Sequence, residues 1–288
     1  MSRVALWKRI QALKTWGYGV ESGAFGHRLA MDDGIAPWEL DPPGELALVA
    51  KTSSTMDEAW RLAAAGAPSG SIALALEQES GRGRSGEAWS SPSGGLYFTV
   101  LLRSPLPGSF IGAVALEAGS ALMAELDGTN LAYRWPGSIL APAAAPGAAA
   151  PMTAKAGGIL VEHRLMASVP DRDRAGRAGE QAYAVGMGLR APALVHFGGS
   201  RLRRAAVAVA VARSLAAWAT APACDGGRWA VLAPPLGRPA IAELWDGSRR
   251  HFMPAGFDPR GELLDAAGGP SVHPLECIEL HEGVQHAS

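Results

Sequence analysis

Cysteine is nearly missing from this chain: Cys224 and Cys277 are the only two among 288 residues. They stand far apart, with no Cys-x-x-Cys and no histidine at metal-ligand spacing. That argues against a disulfide framework or a structural zinc site and for two reduced thiols. An excess of one charge sign is missing as well. Lysine plus arginine number 26 against 27 aspartate plus glutamate, a net charge of −1, so the chain as a whole draws neither nucleic acid nor an anionic membrane. Any basic function is local. No 18-residue uncharged apolar run occurs, and the start lacks a basic segment followed by an apolar one, so the expectation is a soluble, cytoplasmic protein. No internal repeat is visible. What is plentiful is apolar surface, 48% of residues, enough for one large domain and a smaller one.

Chemistry concentrates in Gln78 to Trp89, read Q-E-S-G-R-G-R-S-G-E-A-W. Gly81, Gly83 and Gly86 alternate with Arg82 and Arg84 directly after an apolar strand-like run, Ser71 to Leu76. Glycine lets backbone approach a ligand closely, and guanidinium forks suit carboxylate or phosphate. Taken alone, the same letters also describe a flexible basic surface turn.

In chain order, Ser2 caps a helix with Leu6, Ile10 and Leu13 on one face and Gly17 at its end. Arg3, Lys8, Arg9 and Lys14 give it a basic side. A ribbon around Ser22-Gly23 follows, then a linker from Asp32 to Gly44. Helix plus ribbon reads either as a recognition helix and wing or as a helix docked on the main domain. Leu46 to Ala50 reads as a strand, and Thr55 with Glu58 as a capping box opening the helix Met56 to Ala65. Hydroxyls of Ser54 and Thr55 at that helix start also suit a polar ligand. Strands are expected at Gly95–Arg103, Leu131–Trp135, Gly157–Leu165 and Ala182–Leu189, and helices at Ser109–Leu126 and Arg201–Ala219. An Ala/Pro stretch, Ala141–Ala154, and a charged stretch, Pro170–Gly179, read as loops. Short strand-like runs from Ala240 to Leu280 suit a small β-barrel.

These pieces, in this order, resemble the bacterial biotin protein ligases of the type that double as repressors. The resemblance rests on S-S-T-M at Ser53–Met56, the glycine-arginine stretch, and S-P-S-G-G-L-Y-F at Ser91–Phe98. It continues through R-W-P at Arg134–Pro136, K-A-G-G-I-L-V-E at Lys155–Glu162, V-G-M-G-L at Val185–Leu189 and G-F-D-P-R-G-E-L-L at Gly256–Leu264. It implies an α+β protein: a truncated winged-helix remnant (1–31), a catalytic domain around a central mixed sheet (45–235) and an SH3-like barrel (238–285). It implies formation of biotinyl-5′-AMP from biotin and ATP with Mg²⁺, then transfer to a lysine of a biotin carboxyl carrier domain. By the same resemblance Lys155 and Arg84 are catalytic. Ser54, Thr55, Met56 and Gln78 contact biotin; Gly81, Arg82, Gly83 and Arg84 close over biotin and adenylate. Trp89 packs the adenine side, and Gly158 and Gly186 allow close approach. No metal ligand is assigned, and a sheet-edge homodimer is a habit of that family.

The departures cluster on the nucleotide side. The family continues Trp-Pro with Asn-Asp where this chain has Gly137-Ser138. It has Asn where Arg190 stands, and a further Arg where Glu87 stands. A biotin-binding pseudoenzyme or vestigial biotin-responsive repressor is therefore the alternative to a working ligase. DNA binding has little support without the two preceding helices. Lipoate-type ligases and octanoyl transferases share the expected fold; the arginine stretch and K-A-G-G-I-L-V-E point to biotin instead.

Overall fold

Strand alternation decides what faces what here, because successive side chains leave a sheet on opposite sides. The computed structural model describes residues 2–31, 34–142, 152–166, 180–190 and 203–282. Its elements run α1 (Arg3–Thr15), β1 (Gly19–Gly23), β2 (Gly26–Met31), β3 (Leu46–Thr52), α2 (Thr55–Ala64), β4 (Ser71–Arg82), β5 (Ala88–Ser91) and β6 (Leu96–Ser104). They continue with α3 (Ile111–Glu125), β7 (Ala132–Arg134), β8 (Ser138–Pro142), β9 (Met152–Met166), β10 (Glu180–Leu189) and α4 (Arg204–Thr220). The last five strands are β11 (Ala240–Leu244), β12 (Arg249–Phe252), β13 (Pro254–Phe257), β14 (Leu263–Asp265) and β15 (Cys277–Glu282).

The central sheet is mixed: its order is β3-β4-β6-β10-β9-β8-β7, with β5 folded back onto β4. Only β3 and β4 run parallel, with α2 as their crossover. On β10, Tyr183, Val185 and Leu189 face the larger core beneath α3 and α4. Ala182 and Ala184, one step out of phase, face α2 through Ala59, Trp60 and Ala63. This is the expected α+β class with a mixed central sheet.

The expected helices and strands are present, but β4 runs on to Arg82 past the expected end at Leu76, β9 starts at Met152 before the expected Gly157, and β5 and β8 are additional, so the ends of the Ala/Pro stretch expected as a loop lie in β8 and β9. The helix α2 is capped by Ser54, whose Oγ accepts from the Met56 amide at 3.3 Å. Thr55 is its first helical residue and Glu58 accepts from Thr52 Oγ1, so the capping box expected of Thr55 and Glu58 is absent. Both side chains have better partners across the sheet. In α1, Ser2 caps as expected, accepting from Ala5 N at 3.2 Å, but only Ile10 is buried and Leu6 is 40% exposed. The helix docks by its C-terminal end, where Trp16 O accepts from Ile35 N at 2.8 Å. The ribbon turns at Ala24-Phe25, between Gly23 and Gly26, rather than at Ser22-Gly23. The linker is not loose either: Ile35 and Ala36 are wholly buried. The centre of the Ala/Pro stretch, the charged stretch and the expected first turn of the last helix lie outside the described residues.

The C-terminal strands form a three-stranded and a two-stranded sheet around their own core of Trp229, Ala242, Leu263, Val272 and Cys277. That core is continuous with the main domain through Ala113 and Leu116 of α3 and through Trp135. Both cysteines are free thiols. Between the two bodies, Glu117 of α3 is 1% exposed and accepts from Arg228 Nε at 2.9 Å, from Arg228 Nη2 at 2.6 Å and from Trp229 Nε1 at 3.2 Å. Removing the acceptor strands a buried indole N–H and frees an exposed guanidinium. Glu117→Ala is expected to lower unfolding free energy by about 2–3 kcal/mol in urea melts. A change within about 0.5 kcal/mol contradicts the staple.

Candidate functional site

Small residues on one face of two paired strands leave a hollow, and the hollow is the site. Continuing the alternation of β10 past Ala182 and Ala184 gives Gly186 and Gly188, and the partner position to Gly188 on β9 is Gly158. A Cβ at Gly186 would meet Met56 Sδ at 2.7 Å, and one at Gly188 would meet Trp89 Nε1 at 2.8 Å. Side chains at these positions would fill the space that α2 and the glycine-arginine loop leave between them. The resulting cavity is about 350 Å³, within the usual range of small-molecule sites.

Its inner end is polar but uncharged. Gln78 Oε1 accepts from the Thr55 amide at 2.8 Å and from Thr55 Oγ1 at 3.1 Å, and Gln78 Nε2 donates to Ser91 Oγ at 2.7 Å. Thr99 Oγ1 donates to Thr55 Oγ1 at 2.9 Å. Ser54, Thr55, Met56 and Gln78 all line the cavity. Such a relay holds donors and acceptors ready for a neutral polar ring while leaving no net charge beside it. The sequence assigns no contact to Ser91 or Thr99, each of which reads as an ordinary loop or strand hydroxyl.

The glycine-arginine segment is a tight hairpin. Gly83 N donates to Glu87 O at 2.7 Å, and β5 returns onto β4 with Gly81 opposite Trp89. The turn needs left-handed backbone at Ser85 (φ +52°) and Gly86 (φ +79°), which glycine takes without strain. Arg82, Gly83, Arg84 and Trp89 line the cavity. Gly81 is not on the wall; a Cβ there would lie 2.4 Å from Trp89 O, so glycine serves the hairpin's own closure. Both guanidiniums are engaged by protein. Arg82 reaches Asp57 Oδ1 at 2.8 Å and Glu162 Oε1 at 3.5 Å, and Glu162 also accepts from Trp60 Nε1 at 2.7 Å. Arg84 donates to the carbonyls of Cys277 at 2.5 Å, Ile278 at 2.7 Å and Pro274 at 3.3 Å, tying the hairpin to the C-terminal sheets. Burial holds the Arg84 guanidinium below its usual range. Ile278, Glu279 and Trp245 of that C-terminal region complete the wall, and nothing in their local sequence announces it.

Lys155 illustrates what strand spacing alone gets wrong. In a regular strand Lys155 and Gly158 face opposite ways. Between the pairs Ile139–Gly157 and Leu140–Lys155, Ala156 is an extra residue, a β-bulge that reverses the alternation. Lys155 therefore lines the same cavity as Gly158. Its ammonium lies 5.6 Å from the Trp89 ring centre and makes no ion pair among the described residues. Partial burial pulls its pKa down; Arg84 and Arg190 push the same way, and Glu87 opposes them.

The nucleotide-side departures also have places. Gly137 sits at φ +137°, a backbone that side chains other than glycine adopt only under strain, and its carbonyl accepts from Ile159 N at 2.8 Å. Gly137, Ser138, Glu87 and Arg134 line the cavity, and Arg134 is paired with Glu279. No group of three or more metal-ligating side chains converges among the described residues. With Asp57 and Glu162 taken by Arg82, the donor set does not fit a protein-held magnesium ion. No step below runs through one.

The sequence model of the biotin/lipoate A/B protein ligase family matches residues 48–169. The bifunctional ligase/repressor BirA of Bacillus spizizenii is 31% identical over 152 residues, 48% of this chain and 47% of that protein. A biotin–[acetyl-CoA-carboxylase] ligase of Paracoccus denitrificans is 37% identical over 100 residues, 32% of this chain and 40% of that protein. The chain thus spans about half the length of the curated relatives it matches. In fold it is similar to the biotin protein ligase of Aquifex aeolicus in complex with biotin and ATP, with a TM-score of 0.58, 19% identity, and coverage of 83% of this chain and 99% of that one.

A lysine whose pKa is lowered by burial and like charge penalises the folded state while it holds its proton. The penalty is present below the folded pKa and disappears as pH rises through it towards the ordinary lysine range. Lys155→Met is therefore expected to melt at the same temperature as wild type or higher near pH 7, with the difference shrinking at alkaline pH. A clear fall in Tm at pH 7 contradicts this reading of Lys155.

Proposed function

We propose that this chain, a member of the biotin/lipoate A/B protein ligase family through residues 48–169, is a biotin protein ligase. It would make biotinyl-5′-AMP and pass biotin to a lysine of a carboxyl carrier domain. The supporting observation is the order of groups along one cavity. A neutral hydrogen-bonding end (Ser54, Thr55, Gln78) gives way to a glycine floor (Gly158, Gly186, Gly188) and then to an ammonium, Lys155, that has no counter-ion among the described residues. A ureido ring, an aliphatic chain and an acyl phosphate present the matching sequence of needs.

In the first half-reaction a biotin carboxylate oxygen attacks the α-phosphorus of ATP, and the bond to the bridging oxygen of the β-phosphate breaks, releasing pyrophosphate. Lys155 draws the two anions together and offsets charge on the phosphoryl oxygens. Arg84 holds the hairpin roof against the C-terminal sheets, so that the mixed anhydride is kept from water. Gly83 and Trp89 supply that roof's inner surface. In the second, a neutral lysine amine of the carrier attacks the anhydride carbonyl, the C–O bond to AMP breaks, and the amine proton is lost to solvent. We further propose the three-part division at 1–31, 45–235 and 238–285, and a cytoplasmic site of action. No described helix is long and apolar enough to cross a membrane. A homodimer and DNA binding have no specific observation in their favour.

Incubating the full chain with biotin, ATP, magnesium and a purified carrier domain is expected to give ATP-dependent biotin transfer. Lys155→Ala is expected to cut pyrophosphate release by about a hundredfold or more. Saturable biotin binding in a calorimeter with no pyrophosphate release would favour the pseudoenzyme reading instead.

A further inference from the structure

A second cavity, of about 590 Å³, lies where the central sheet meets the C-terminal sheets. It shares Arg134, Trp135 and Leu140 with the first, but Gln78, Lys155 and the glycine-arginine hairpin have no part in its wall. One side is the segment Ala233–Ala240, A-P-P-L-G-R-P-A, whose three prolines stiffen the chain and offer no N–H. Gly237 turns this segment at φ +70°, and its amide donates to Pro254 O at 2.9 Å, which pins the turn to β13. Arg238 and Pro239 then lead back along the cavity into β11 at the buried Ala240. Trp135, Leu232 and Leu280 keep much of the remaining wall apolar.

The polar side chains of this wall are Tyr133, Arg134, Arg238 and His281; none is a carboxylate. Two of the three nitrogen bases are already matched, Arg134 by Glu279 and His281 by Glu243 at 3.4 Å. Arg238 has no ion pair among the described residues, and the Tyr133 hydroxyl has no hydrogen bond among them. Burial pushes that hydroxyl above its usual range, with Arg84 opposing. A desolvated donor without an acceptor is costly until something supplies one. One unmatched guanidinium beside proline, leucine and indole surfaces fits a single negative charge on an apolar body. A phosphate dianion finds too few cations here, and an amine is repelled. We propose that this cavity binds a small carboxylic acid with an apolar body, its charge matched by Arg238 and one oxygen served by the Tyr133 hydroxyl. The site is separate from the ligase chemistry and does not depend on it.

Calorimetric titration of the full chain with hydrocinnamate tests this, with phenethylamine as the probe of opposite charge. Wild type is expected to bind the acid saturably, with a Kd of ~1 mM or tighter for a ligand of that size, and the amine at least about tenfold more weakly. Arg238→Glu, a change on an exposed side chain, is expected to weaken the acid at least about tenfold and to leave biotin binding unchanged. Tyr133→Phe removes only the hydroxyl and is expected to cost about threefold. Biotin titrated at rising hydrocinnamate separates two sites from one: with two, its apparent affinity stays constant or levels off. A biotin affinity that keeps falling puts the acid in the first cavity and overturns the proposal. So does the absence of saturable acid binding, equal affinity for acid and amine, or equal acid affinity in wild type and Arg238→Glu. A chain that binds no biotin contradicts the ligase reading alone, because the acid titration stands without it.

Discussion

Everything in this molecule's chemistry depends on the side chains missing from one face of two hydrogen-bonded strands. A Cβ at position 186 would press on Met56 of α2 at 2.7 Å and one at 188 on Trp89 at 2.8 Å, so side chains there would take up the space between them. Leaving those positions as glycine exposes backbone in the middle of the sheet, which costs strand propensity. The deep core on the opposite face, where Tyr183, Val185 and Leu189 pack beneath α3 and α4, offsets that cost. One face of β10 holds the fold together and the other makes room.

The roof over this hollow is held from two sides. Arg82 is anchored to Asp57 and Glu162 in the main domain, and Arg84 to backbone carbonyls of the C-terminal sheets. Two arginines separated by one glycine therefore bridge two bodies across a single turn. Carboxylates hold the first and neutral carbonyls the second. The C-terminal body thereby belongs to the site, through Ile278 and Glu279 on its wall. The Glu117–Arg228 staple fixes that body's position from behind.

Much of this was legible in the sequence. The mixed central sheet, short C-terminal strands and the grouping of Ser54, Thr55, Gln78, Trp89, Lys155, Gly158 and Gly186 were expected; the C-terminal strands form two small sheets, and the grouped residues do meet in one cavity. What stayed hidden has physical causes. Thr55 and Glu58 match a capping box in sequence, but Gln78 and Thr52, distant or non-helical partners, claim their side chains. Regular strand alternation would put Lys155 on the opposite face, and the bulge at Ala156, which has no partner on β8, turns it inward; a bulge leaves no signature in residue types. Arg82 reads as a ligand-facing arginine because its two carboxylates are 25 and 80 residues away. Gly81 reads as a ligand contact because a glycine's reason lies in whatever approaches it, here Trp89 O.

The account's central claim is that one cavity holds both the ureido ring and the activated carboxyl, in that order from Gln78 to Lys155. A crystal structure with a non-hydrolysable biotinyl-adenylate analogue tests this most directly. The account predicts the bicyclic ring within hydrogen-bonding distance of Ser54, Thr55 or Gln78, and the phosphoryl-equivalent oxygens within reach of the Lys155 ammonium. An analogue bound elsewhere, or bound here with its phosphoryl end directed away from Lys155 and Trp89, contradicts it.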